Sequence, residues 1–131
     1  MVGLVAGVTL FALVALAGTG RAQQKADSLP PGVTPQMVKE GETVFQGAGL
    51  CTACHGQDAK GIPNLGANLT DKEWLHSKGT YDDIVKQILA GVTAAKSTSG
   101  TVMPPKGGSS ITDGQAKAVA AYVWKLSHVK K

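Results

Sequence analysis

Several residue types are scarce in this 131-residue chain, and each scarcity excludes something. There are two cysteines and three histidines. A structural zinc site wants four ligands, and His55, His76 and His128 show no zinc-like spacing with which to complete one. Arg21 is the only arginine. Beyond it the positive charge is carried by scattered lysines, with Lys130-Lys131 the only dense run. Nucleic-acid binding calls for clustered cations interleaved with aromatic platforms, and that pattern is missing. Aromatic residues number two each of Phe, Trp and Tyr, a thin supply for the core of a chain this long. The net charge of +4 fits a solvated lysine surface.

What is present is Cys51-Thr52-Ala53-Cys54-His55, the C-x-x-C-H pattern of c-type haem attachment. Two thiols at this spacing on a tight helical turn can each reach one vinyl group of a single haem. The next residue then presents an imidazole under the iron, which makes His55 the expected proximal ligand. Two other readings compete. A thioredoxin-like redox pair needs a βαβ context, and no strand pattern surrounds residues 40 to 60. A plain disulfide beside an unrelated histidine is compatible with an exported chain. A buried haem would supply the apolar bulk that the aromatic residues do not, so folding is expected to depend on its attachment.

Around this motif the pattern is helical. Thr34 before Pro35 is an N-cap with proline at the first helical position, predicting a helix from about Pro35 to Gln46. Gly41 and Phe45 share one face of it, and a mid-helix glycine marks a crossing point. The partner is expected to be a terminal helix capped by Thr112, with a stripe of Ala116, Val119, Ala120, Val123 and Leu126 ending near His128. Tyr122 is placed to lean over Gly41. Thr70 and Thr80 are each followed three residues later by an acid, predicting two short helices. The second has an apolar face of Ile84, Val85, Ile88 and Leu89, with Gly91 as its stop.

Taken with Gly61-Ile62-Pro63-Asn64-Leu65, Met103-Pro104 and Ala121-Tyr122, these features resemble a class I, single-haem cytochrome c over residues 35 to 128. Asn68-Leu69-Thr70-Asp71 with Trp74 nearby is further similar to the c-type domains attached to haem-copper oxidases. The resemblance implies an all-α fold in which the N- and C-terminal helices cross while short helices and loops wrap one covalent haem c. It also implies that the Pro63 carbonyl accepts the second ring N–H of His55, that Leu65 packs on the haem face, and that the Trp74 indole donates to a propionate.

Met103, on a polar loop stiffened by Pro104 and Pro105, is the expected sixth ligand, a soft thioether suited to both oxidation states of iron. Met37 faces the helix crossing, Met1 lies in the apolar front segment, and His76 and His128 read as surface residues. An iron held by His55 and Met103 has no open position, which predicts an electron carrier and not an enzyme. Its partners would be redox proteins, foremost a membrane-bound oxidase or other electron-transfer complex, met over Lys60, Lys96 and Lys106. A haem subunit fixed in a membrane complex is the alternative. A gas-binding or peroxidase-like protein would need an open sixth site and a distal His or Arg, and neither is visible.

Residues 1 to 22, almost all apolar or small, read as an export signal or membrane anchor, placing the domain on the periplasmic side. Residues 23 to 33, with Pro30-Pro31-Gly32, read as a linker without internal packing, and residues 34 to 131 as the haem domain.

Overall fold

Thr34 starts the first helix as expected: its side chain accepts the Met37 N–H at 3.2 Å, and α1 runs Pro35–Gln46. In the computed structural model, residues 28 to 129 are described, so the export or anchor segment and the first part of the linker lie outside the described residues. The remaining helices are α2 (Thr52–His55), α3 (Tyr81–Ala90) and α4 (Asp113–His128). Among the described residues there is no strand, only two isolated antiparallel pairings, Ile62 with Gly66 and Val92 with Met103.

α1 crosses α4, and α3 packs on α4 from another side. The crossing is at Gly41, where a β-carbon would fall on the Ala118 carbonyl oxygen and lie 3.0 Å from the Tyr122 β-carbon. Alanines at 116, 118, 120 and 121 keep α4 narrow enough for that approach, and all four are buried. One turn beyond Gly41, Phe45 is fully buried and meets the Tyr122 ring edge-on, with centroids 5.4 Å apart and planes at 60°. Val44, Ile84, Ile88, Ile111, Val119 and Val123 complete the main core. α4 begins with a full capping box, in which the Thr112 hydroxyl accepts the Gln115 N–H at 3.1 Å and the Gln115 side chain accepts the Thr112 N–H at 2.9 Å.

Two expectations need correction. The stretch before Thr34 is not unpacked: a turn closes from the Val33 N–H to the Pro30 carbonyl at 3.0 Å, and Val33 is buried with Val38 and Ala121, flanked by Leu29. Residues 70 to 73 form no helix. The Asn68 side-chain oxygen takes the Thr70 N–H at 2.8 Å and the Asp71 carboxylate takes that of Glu73 at 3.0 Å. Short polar side chains thus capture the amides a helix would have used. The Thr80 cap does hold, with its hydroxyl accepting from the Asp83 N–H at 3.2 Å.

Gly41→Ala should destabilise the domain by about 1–3 kcal/mol, the usual cost of forcing an extra carbon into a filled contact. Denaturant titration of the haem-loaded protein checks this. The exposed change Gly114→Ala, where a β-carbon would meet only the Thr112 hydroxyl at 3.7 Å, is the comparison for a glycine outside the crossing.

Candidate cofactor site

α2 is a single turn, closed by the His55 N–H to Cys51 carbonyl bond at 2.9 Å and the Gly56 N–H to Thr52 carbonyl bond at 3.0 Å. That turn brings Cys51, Cys54 and His55 to one wall of a cavity of about 640 Å³, within the range of small-molecule and cofactor sites. Both thiols are free and half-buried. Burial, with a smaller push from neighbouring Cys54, raises the Cys51 thiol to about 11, so it stays protonated at neutral pH.

The imidazole is fixed in one sense. His55 Nδ1 lies 2.8 Å from the Ala67 carbonyl, which can only accept, so the proton sits on Nδ1 and Nε2 keeps the free lone pair. Burial lowers the His55 pKa, partly opposed by the Ala67 bond, and the ring is neutral at neutral pH. The acceptor is therefore Ala67 and not Pro63. The mutual Ile62 and Gly66 backbone bonds, each 3.0 Å, fold residues 62 to 66 into a tight turn with Pro63 exposed near its tip. The first carbonyl after that turn is the one returned to the ring.

Met103 lines the same cavity, and it also lines an inner recess of about 50 Å³ together with His55. Its backbone pairs with Val92 in both directions, at 2.8 and 2.9 Å. Gly91, which stops α3 at φ 70°, ψ −170°, leaves no room there: a β-carbon would fall on the Met103 carbonyl. The loop has two further ties. The Thr101 hydroxyl donates to the Asn64 carbonyl at 2.9 Å, linking the methionine loop to the loop after His55. Lys106, in left-handed backbone geometry at φ 55°, pairs with Asp113 at the start of α4 at 2.7 Å.

Leu65 and Trp74 line the cavity, as does Pro63. Trp74 also walls the inner recess, with its indole nitrogen against Gly79. His76 departs from expectation: it is half-buried and lines the cavity instead of lying on the surface. His128 is exposed, stacked on Trp124 at 4.3 Å. Among the expected docking lysines, Lys96 is exposed and Lys60 lies on the rim 3.9 Å from Asp58. Lys106 is engaged by Asp113 and is not a free docking charge. Sequence reasoning missed Ala67, the Thr101 to Asn64 tie and Gln87, which lines both cavity and recess. Only Gln87 left a sequence signal, a polar residue within the α3 stripe one turn from Ile84.

Among the described residues, Leu50, Ile62, Leu65, Leu75 and Val102 are the large apolar side chains that stand exposed, at 37% or more, and all line this cavity. A broad apolar group seated there would cover them, and the donor set of two thiols, an imidazole Nε2 and a thioether is the one a c-type haem requires. No group of three or more His, Cys, Asp or Glu among the described residues could hold a bare metal ion.

A family model described as cytochrome c oxidase, cbb3-type, subunit III matches residues 36–123. The chain belongs to that family. The CcoP subunit of the cbb3-type cytochrome c oxidase of Rubrivivax gelatinosus is 40% identical over 93 residues, covering 71% of this chain and 27% of the relative. The FixP subunit of Rhizobium meliloti is 36% identical over 96 residues, covering 70% and 28%. The chain thus spans little more than a quarter of the length of these curated relatives. The crystal structure of cytochrome CL from Methylophaga aminisulfidivorans superposes with a TM-score of 0.54 at 19% identity, covering 86% of this chain and 69% of that one. The fold is that of a small all-α cytochrome c, and the cofactor of this family's cytochrome domain is haem c.

Gly91→Ala should displace the methionine loop, since the added carbon meets the Met103 carbonyl and the backbone geometry costs a non-glycine residue about 1–3 kcal/mol. Hydrogen exchange is the check: the Val92 and Met103 amides should lose protection while those of α1 keep theirs.

Proposed function

We propose that this domain is a one-haem electron carrier, attached through Cys51 and Cys54, with His55 and Met103 as the two protein ligands of the iron. The reading rests on one observation: His55 and Met103 line the same cavity and the same inner recess from segments far apart in the chain. When bound, haem supplies an iron that cycles between ferrous and ferric states. The protein's part is to hold its ligands still. Ala67 fixes the imidazole tautomer, and the Val92 pairing, the Asn64 tie and the Asp113 ion pair restrain the methionine loop. Little then rearranges when an electron arrives or leaves. With both positions taken the domain does no substrate chemistry of its own.

The membership of relatives in cbb3-type oxidases supports a place beside such an oxidase, either as a domain of one of its subunits or as a carrier that feeds it. The domain would then work on the periplasmic side, delivered there by residues 1 to 22, with residues 23 to 33 as the stretch before it. No helix among the described residues is long and apolar enough to cross a membrane.

The oxidised protein should show the weak long-wavelength absorption band of methionine sulfur on ferric haem, and Met103→Ala should abolish it while leaving the haem covalently attached. A spectrum without that band, in a protein whose ferrous form takes up carbon monoxide readily, would sink the reading in favour of an open sixth site. A double Cys51→Ser, Cys54→Ser variant should lose covalent haem and most of its helical circular dichroism, since the cavity's apolar walls would be left facing water.

A further inference from the structure

His76 has no part in the reading above. The chain has three histidines, and the fold gives each a different setting. His55 is tied to Ala67 and is the proposed iron ligand, while His128 is exposed at the end of α4 and does not line the cavity. His76 is half-buried and does line it, yet it is not among the residues that wall the inner recess with His55 and Met103. It borders the cofactor space without standing where the two proposed ligands meet. Histidine is the side chain whose charge ordinarily changes between pH 5 and 8. The other ionisable groups lining the cavity are of different kinds. Cys51 and Cys54 are consumed by attachment, Lys60 lies 3.9 Å from Asp58, Lys106 is paired with Asp113, and Glu73 is an exposed carboxylate on the same loop as His76. Lysines and carboxylates ordinarily keep their charge throughout that window.

We propose that His76 is a redox-linked proton site, so that the domain takes up part of a proton with each electron it accepts. Accepting one electron lowers the charge inside the cavity by one while the His76 imidazole gains a fraction of a proton from bulk water, and giving the electron up reverses both. A cavity of about 640 Å³ is on the order of 10 Å across, and unit charges that far apart inside a protein shift each other's ionisation by roughly tenfold. By linkage the proton affects the electron as strongly as the electron affects the proton. A positive His76 favours the ferrous state, so the affinity for an electron falls as pH rises through the histidine's titration. The carboxylates that haem itself carries are the rival source of such a pH effect, and replacing His76 distinguishes the two. The inference rests on the one-haem reading.

The test is a spectroscopic redox titration of the haem-loaded full chain from pH 5 to 8, with His76→Gln and His128→Gln beside it. In the unsubstituted protein the ferrous to ferric ratio at fixed ambient potential should fall by about three- to tenfold across this range. His76→Gln should flatten the profile, and His128→Gln should keep it. A flat profile in the unsubstituted protein would overturn the inference with no variant needed. A fall that persists in full in His76→Gln would also overturn it, because the haem carboxylates would then be its source. Equal flattening by both substitutions would do the same, since a histidine outside the cavity would then matter as much. The methionine band is read in the same samples. Its absence removes the electron-carrier reading, whereas its presence with a flat profile removes this inference alone.

Discussion

The close approach of α1 and α4 at Gly41 is the constraint on which the other contacts depend. With no side chain at 41 and alanines on the facing helix, two backbones meet where most helix pairs are held apart by side chains. That contact buries Phe45 against Tyr122 and lets so small a set of aromatics make a core. It also leaves one flank of the pair to α3 and the loops, and the cavity forms there. A wider crossing would spread the frame on which both walls stand.

The cavity walls are made differently from the frame. Helices supply the inner surface through Ile84, Ile88 and Val119, whereas the chemistry-bearing groups sit on a single helical turn and on loops. Loops cannot rely on an internal hydrogen-bond ladder, so they are held by contacts to each other: Val92 to Met103, Thr101 to Asn64, Lys106 to Asp113, and His55 to Ala67. The Lys106 to Asp113 pair is exposed on the Asp113 side, where salt and water weaken it. Its use is to restrict the loop's freedom. Lys106 pays for this position with an unfavourable backbone angle, and a lysine so engaged offers little to an approaching partner.

Such a site suits the passage of single electrons. In the proposed ligation, a neutral imidazole and a neutral thioether, both held by the protein before any electron moves, would keep the reorganisation on transfer small. The rim is predominantly apolar, through Leu50, Ile62, Leu65, Leu75 and Val102, and its Lys60 lies 3.9 Å from Asp58, so contact there is governed more by desolvation than by long-range charge.

The sequence alone determined the helices and the attachment motif, because both are written in local pattern. Thr34, Thr80 and Thr112 cap as hydroxyls must, Gly41 and the alanine stripe announce the crossing, and Cys51 to His55 sit at a spacing that one helical turn imposes. Tertiary structure decided the rest. Whether the carbonyl of Pro63 or of Ala67 reaches His55 depends on how the 62 to 66 turn folds back. Whether Thr70 begins a helix depends on a contest between side-chain and backbone acceptors that was won by Asn68 and Asp71. Whether His76 faces water and Lys106 stays free depends on loops meeting across the cavity. These outcomes are set by contacts between residues distant in the chain, and no periodicity within a single segment encodes them.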